Sequence, residues 1–199
     1  MDQRTLDFYQ TRADEWAARM PHVWAPELDG FLDLLAPGAK VLELGCGDGR
    51  DTAHMIARGF AVDASDGSPE MARRAGERIG REVPVMRFDQ LDATSAYDAV
   101  WCHASLLHAE RADLPGILKR IFRALRPGGR HFASFKGDSQ GDEEGHRDEF
   151  GRYYNYMSEE ALRAAYDHAG PWLSLEFEPF VAGTFEGGQI PWVKVLARR

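Results

Sequence analysis

The amino-acid sequence predicts an α/β fold, a doubly wound sheet that is parallel except near its end, with helices on both faces. Two observations predict it. Short apolar runs suited to buried strands alternate five times with stretches of helical periodicity, and two further strands close the chain. The first of these runs also passes through a glycine-rich turn straight into a helix, in the stretch VLELGCGDGRD at residues 41–51.

In chain order, residues 1–36 read as an N-terminal helical cap. Phe8, Tyr9, Ala13, Trp16, Ala17 and Met20 recur at helical spacing as far as Pro21. Leu28, Phe31, Leu32 and Leu35 mark a second helix between Pro26 and Pro37-Gly38. Trp16 and Trp24 suit helix packing; over the carboxyl edge of a sheet they would also serve as a lid. Tyr9 and Trp16 are therefore candidate substrate contacts.

The first strand, residues 41–44, enters a turn in which Gly45, Gly47 and Gly49 alternate with Cys46 and Asp48. Glycine there lets the chain turn sharply and a ligand lie against bare backbone. A helix follows from Arg50, with Ala53, Met55, Ile56 and Ala57 before Gly59. Strand, glycine turn and helix N-terminus together suit a nucleotide-type ligand, although ordinary strand-to-helix loops carry such triplets too.

The second strand spans 60–65 and ends on Asp66-Gly67. Ser68 suits an N-cap, Pro69 the first helical position and Glu70 the positive helix end. Asp66 lies about twenty residues beyond Gly45, where nucleotide folds place a carboxylate for ribose hydroxyls. Asp63 competes for that role but falls inside the strand. Residues 84–91 read as the third strand and its exit, carrying Asp89, Gln90 and Leu91. Residues 97–108 give the fourth strand and a loop with His103 and His108. The stripe Leu114, Ile117, Leu118, Ile121, Phe122 and Leu125 is helical. Pro127-Gly128-Gly129 stops it before a fifth strand at 131–136.

Residues 137–152 carry six acids and almost no apolar side chain, so they read as a loop, either a solvated excursion or a moving lid. With the aromatics that follow, residues 137–157 form a cover loop, in which Tyr153, Tyr154 and Tyr156 are candidate acceptor contacts. Ser158 caps a last helix with Leu162, Ala165 and Ala169. Two strands end the chain and bring in Trp192. With no repeat or linker, residues 1–199 read as one domain.

Ligands in such sheets bind beyond the carboxyl ends of the strands. Gly45 to Gly49, Asp66, Asp89 and His103 all fall at such ends. The net charge of −8 argues against a nucleic-acid partner. No apolar run approaches the ~18 residues that span a membrane. The two cysteines, Cys46 and Cys102, show no metal-ligand spacing, so no metal is expected. With no secretory start at the N-terminus, a cytoplasmic monomer or homodimer acting on a small molecule is the expectation.

Taken together these motifs resemble those of class I S-adenosylmethionine-dependent methyltransferases, which have a Rossmann-like fold. VLELGCGDGR matches the family's hydrophobic-E/D-x-G-x-G-x-G motif, DGSPEM at 66–71 its D-x-S-P-x-M, and FDQL at 88–91 its adenine-binding position. YDAVWCHASLLH and LRPGG match its fourth strand and the turn before its fifth. The resemblance covers roughly residues 38–136. It implies seven strands, the last antiparallel, and S-adenosyl-L-methionine as cofactor. It also implies roles. Gly45, Cys46, Gly47 and Arg50 would border the methionine part and Glu43 would face its ammonium. Asp66 would take both ribose hydroxyls, and Gly67 and Met71 would lie near the adenine. Asp89 would accept from the adenine amino group beside the backbone of Gln90 and Leu91. His103 would contribute backbone to the cofactor, and its imidazole is the candidate general base.

His103-Ala104-Ser105-Leu106 stands where DNA-adenine and protein-glutamine methyltransferases carry Asn-Pro-Pro-aromatic, which argues against those substrates. Tellurite-resistance and thiopurine enzymes are similar small-molecule types. Two other functions compete. A nicotinamide-dependent oxidoreductase would want Gly or Ala where Arg50 stands. An adenosylmethionine-binding module without turnover fits the same motifs.

Overall fold

The computed structural model describes residues 2–19, 24–137, 145–183 and 187–199. The expected boundary at Met20-Pro21 and the acidic residues 138–144 of the cover loop lie outside the described residues. The expected first helix is two helices, α1 (Gln3–Thr11) and α2 (Ala13–Arg19), and α3 (Leu28–Leu32) ends earlier than its apolar stripe. There follow β1 (Lys40–Leu44), α4 (Arg50–Ala57), β2 (Ala61–Ser65), α5 (Pro69–Ile79), β3 (Tyr97–Cys102), α6 (Leu114–Ala124) and β4 (Leu125–Lys136). The last third supplies β5 (His146–Arg147), β6 (Tyr153–Tyr154), α7 (Glu159–Ala169), β7 (Ser174–Gly183) and β8 (Gln189–Arg198).

The main sheet has the order β2-β1-β3-β4-β8-β7. β1 pairs in parallel with β2 and β3, and β3 with β4; β8 runs antiparallel to both β4 and β7. The antiparallel last strand is as the resemblance implies. The sheet has six strands rather than about seven, because residues 84–91 do not form one. Pro84 has no N–H to give a ladder. Only an isolated parallel bridge, Asp66 to Val85, takes the third strand's place. The chain then turns into a 3-10 helix, Phe88–Gln90, closed by the Gln90 side chain accepting from Arg87 N at 2.8 Å.

Side-chain alternation decides the packing, since a central parallel strand is covered on both faces. Leu42 and Leu44 of β1 join Val100 and Cys102 beneath α6 and α7, with Ile117, Leu118, Ile121 and Leu162. Val41 turns to the other face and meets Trp101, Phe132, Met55 and the Leu28, Phe31 and Leu32 of α3. Each fully buried side chain of this size contributes roughly 1.5–3 kcal/mol.

The N-terminal helices are fastened across the carboxyl edge of the sheet. Gln10 accepts from Glu70 N at the start of α5 (2.9 Å), Asp14 pairs with Arg74 (2.6 Å) and Asp2 with Arg147 (2.8 Å). Among the described residues no helix is long and apolar enough to cross a membrane.

Candidate active site

β1 ends at Leu44, and the next two amides, of Gly45 and Cys46, donate to Ser65 O at 2.9 and 3.0 Å. This ties the turn to the end of β2. Gly45 has φ +85°, and a Cβ on it would lie 2.6 Å from Cβ of Ser105. The position therefore excludes a side chain both conformationally and sterically. A Cβ at Gly47 would meet the Trp16 ring at 3.3 Å, so α2 lays its indole on the loop backbone. The Arg50 guanidinium lies 5.2 Å from the same ring.

A buried carboxyl, Glu43, and a half-buried one, Asp66, flank this loop. Glu43 takes a short bond from the Thr52 hydroxyl. Burial pushes its carboxyl well above the usual range, and Asp51 nearby adds to the rise. Asp66 accepts from Gly47 N at 2.9 Å and Ser68 N at 2.8 Å. Burial outweighs those bonds and raises it to about 6. A site holding two desolvated acids favours a ligand bringing a cation and hydroxyl donors, because each would offset the cost of burying charge. The ammonium and ribose hydroxyls of S-adenosylmethionine fit that donor set.

His103 stands one step beyond β3. Its ring lies parallel to Trp101 at 5.8 Å and to Phe132 at 6.4 Å. Its Nε2 is 3.8 Å from Glu27 Oε2. Burial lowers its pKa below the ordinary histidine value, Asp51 and Glu27 oppose that, and Arg50 adds to it. Ala104 follows with φ +49°, and Ser105 donates its hydroxyl to Leu44 O at 2.8 Å. The exit of β3 is thereby pinned to the end of β1.

His108 has both ring nitrogens engaged. Tyr153 O lies 2.7 Å from Nδ1 and the Tyr9 hydroxyl 2.9 Å from Nε2. A carbonyl only accepts, so Nδ1 carries the hydrogen and Tyr9 donates to Nε2. Burial drives this imidazole down to about 3 and the Tyr9 phenol up to about 12, which keeps both neutral. The pair fastens α1 to the β3 exit. Lys136 ends β4 with Nζ 3.4 Å from the Tyr154 ring centroid, and Trp192 faces Lys136 in the β4–β8 register.

These groups surround one cavity of about 630 Å³. Of the residues singled out from the sequence, Tyr9, Trp16, Glu43, Gly45, Cys46, Gly47, Arg50, Asp66, Met71, His103, His108 and Trp192 line it. Gly67, Asp89, Gln90, Leu91, Tyr153 and Tyr156 are not on its wall. Asp89 is held by Arg87 at 2.7 Å, and Leu91 is buried in the core. The Tyr153 ring lies under Arg147 at 5.8 Å, and Tyr156 packs edge-on to His146.

Tyr154, a third candidate acceptor contact, does line the cavity, and sequence reasoning missed Glu27, Lys136, Arg152 and Phe180, which line it too. Lys136 was open to the rule that selected His103, since it also ends a central strand. Nothing local marks Glu27. Among the described residues no cluster of three or more His, Cys, Asp or Glu is arranged to hold a metal.

Known proteins resemble this chain in sequence and in fold. A family model described as a methyltransferase domain matches residues 41–129. A ubiquinone biosynthesis O-methyltransferase of Xanthomonas oryzae is 31% identical over 151 residues, which take in 64% of this chain and 62% of that protein. The chain thus spans a little under two thirds of this relative. A Burkholderia thailandensis 1,6-didemethyltoxoflavin-N1-methyltransferase, solved with 1,6-didemethyltoxoflavin and S-adenosylhomocysteine, is 27% identical. It superposes with a TM-score of 0.69 over 98% of this chain and 84% of its own. A Methanosarcina mazei structure named as a SAM-dependent methyltransferase gives a TM-score of 0.77 at 18% identity, covering 89% of this chain and 98% of its own, a likeness of fold. In its motifs, strand order and methyltransferase-domain match over residues 41–129, the chain is similar to class I S-adenosylmethionine-dependent methyltransferases.

Proposed function

We propose that this chain binds S-adenosylmethionine and transfers its methyl group to a small-molecule acceptor. The observation that carries the reading is the continuity of one cavity. At one end lie the glycine loop and the carboxyls of Glu43 and Asp66, and at the other His103, Lys136, Tyr154, Phe180 and Trp192. When bound, the cofactor supplies a methyl group already activated on a sulfonium, so positioning is the protein's main task.

In this reading Glu43 faces the ammonium and Asp66 accepts from the ribose hydroxyls. Gly45 and Gly47 leave backbone bare for close approach. Trp16, seated on Gly47, excludes water. Asp89 exchanges its Arg87 partner for the adenine amino group, with the Gln90 and Leu91 backbone beside it. The aromatic wall of Tyr154, Phe180 and Trp192 suits a flat acceptor. The names of the Xanthomonas and Burkholderia relatives support an acceptor of small-molecule type. Two buried free cysteines accord with a reducing, cytoplasmic setting.

Titration calorimetry with S-adenosylmethionine and S-adenosylhomocysteine tests binding, and release of S-adenosylhomocysteine across a panel of phenols, amines and carboxylic acids tests turnover. Binding of both ligands with release on at least one acceptor is expected. Binding without release on any acceptor would favour a cofactor-holding module, and a nicotinamide absorbance from copurified ligand would overturn the reading.

A further inference from the structure

We infer that Glu27 is a positioning residue that pairs with His103, and that this acid–imidazole pair takes a proton from the methyl acceptor. The inference rests on the methyl-transfer reading and narrows it. The acceptor is then an alcohol, a phenol or a protonated amine, which arrives with its proton, and not a ready anion.

The starting point is an oxygen atom. Glu27 Oε2 is buried and takes no hydrogen bond. Leaving such a buried acceptor without a donor is costly. His103 Nε2 lies 3.8 Å from it, and both residues line the cavity. The groups facing this imidazole come from four elements. Glu27 comes from just before α3, Asp51 and Arg50 from α4, Trp101 from β3 and Phe132 from β4. Asp51 is already committed, with one oxygen taking Ala25 N at 2.9 Å and the other Trp101 Nε1 at 2.8 Å. Arg50 turns its Nε to Asp48 at 2.9 Å. Trp101 and Phe132 fix the ring plane. Glu27 thus holds an acid oxygen in reserve for a change of charge on His103.

The proton transfer follows from that arrangement. A neutral imidazole with its Nε2 hydrogen turned to Glu27 presents the Nδ1 lone pair to the acceptor. As the acceptor's O–H or N–H bond breaks, its proton goes to Nδ1 and its electron pair forms the bond to the methyl carbon. The carbon–sulfur pair leaves with sulfur, which becomes a neutral thioether. The imidazolium so formed faces the Glu27 carboxylate, and a small rotation closes the gap to a charge-assisted hydrogen bond. An acid behind a histidine base acts in the same way in hydrolytic triads.

The test needs no acceptor. The His103 imidazole is titrated by NMR in the wild-type protein and in Glu27→Gln, its signal identified by its loss in His103→Ala. Removing a carboxylate at this distance is expected to lower the His103 midpoint by about 0.5 pH units or more. A smaller fall overturns the pairing. If Glu27→Gln does not fold, Glu27→Asp serves, since it withdraws the same charge by one methylene. A midpoint equal to the wild type's would then be the overturning result. Once an acceptor is known, Glu27→Gln should lower the plateau rate about tenfold or more and move the acid limb of the pH profile downward. Its affinity for S-adenosylmethionine should stay within threefold of the wild type's. Failure of the wild type to bind that cofactor would sink the methyltransferase reading while leaving the Glu27–His103 coupling measurable.

Discussion

The two ends of the cavity are built on different plans. The glycine-loop end, where we propose the cofactor lies, is local: Glu43, the glycine loop and Asp66 come from the ends of β1 and β2, which are adjacent in the sheet. Its shape depends on backbone, through the turn at Gly45 and the amides of Gly47 and Ser68 that grip Asp66. The other end, the proposed acceptor end, is assembled from distant pieces. Tyr9 and Glu27 come from the cap, His103 from the β3 exit, Lys136 from β4, Tyr154 from β6, and Phe180 and Trp192 from the final hairpin. Backbone geometry leaves a pattern in the sequence, because few residues tolerate it. A wall of converging side chains leaves none, because each member also makes sense as core.

That contrast can be broken or sharpened by substitution. The largest effect is expected at the acceptor end, where His103→Ala should lower turnover by about 10²–10⁴-fold. Cofactor affinity, carried by groups elsewhere, should change little. A drop of less than threefold with a flat profile from about pH 5 to 8 would make His103 a spacer and the site a pure positioning device.

Next comes Gly45→Ala. The new Cβ meets Ser105 at 2.6 Å in a left-handed backbone conformation. Strain and overpacking together should cost about 2–4 kcal/mol of stability, read from chemical denaturation. A loss below about 0.5 kcal/mol would show that the loop adapts and is less specified than its geometry implies.

A smaller effect is expected from pH. Asp66 titrates near 6 in the folded protein, above its ordinary 3.8. The folded state therefore binds this proton more tightly than the unfolded chain. The stability Asp66 contributes is complete below pH ~4 and is lost as pH rises through about 6. Ribose hydroxyls donate to the ionised form, so binding should release the proton. Affinity for S-adenosylmethionine should fall by about tenfold from pH 7 to pH 5, and Asp66→Asn should abolish that dependence. A wild-type affinity that is flat over this range would mean that Asp66 does not meet the cofactor.

The fold was largely legible. Alternation of strand and helix and the Ser68 and Ser158 caps each rest on short-range chemistry, and the two capping serines accept from Met71 N and Ala161 N; the expected stop at Pro127-Gly128-Gly129 comes late, since α6 ends at Ala124 and those residues lie inside β4. The third strand was misread because an apolar run beside β2 looks like a strand whether or not it finds ladder partners. Pro84 and the Arg87–Gln90 closure decide otherwise, and they are tertiary as well as local. On the cavity wall, strand-end reasoning reached Asp66 and His103 but stopped short of Lys136. Of the candidates Tyr153, Tyr154 and Tyr156 only Tyr154 lines the cavity, a parity in a two-residue strand that no periodicity can reveal. Glu27 gains its place only when α3 packs against Trp101 and Phe132.

The most direct test of the account is calorimetric titration of S-adenosylmethionine into the wild-type protein, Asp66→Ala and Asp63→Ala near pH 7.5. Asp63 already serves Tyr97, which donates to it at 3.1 Å, and Lys40, at 3.0 Å. The account predicts saturable binding to the wild type, at least tenfold weaker binding to Asp66→Ala because charged hydrogen bonds to the ribose are lost, and near wild-type binding to Asp63→Ala. Equal affinity in the wild type and Asp66→Ala would contradict it.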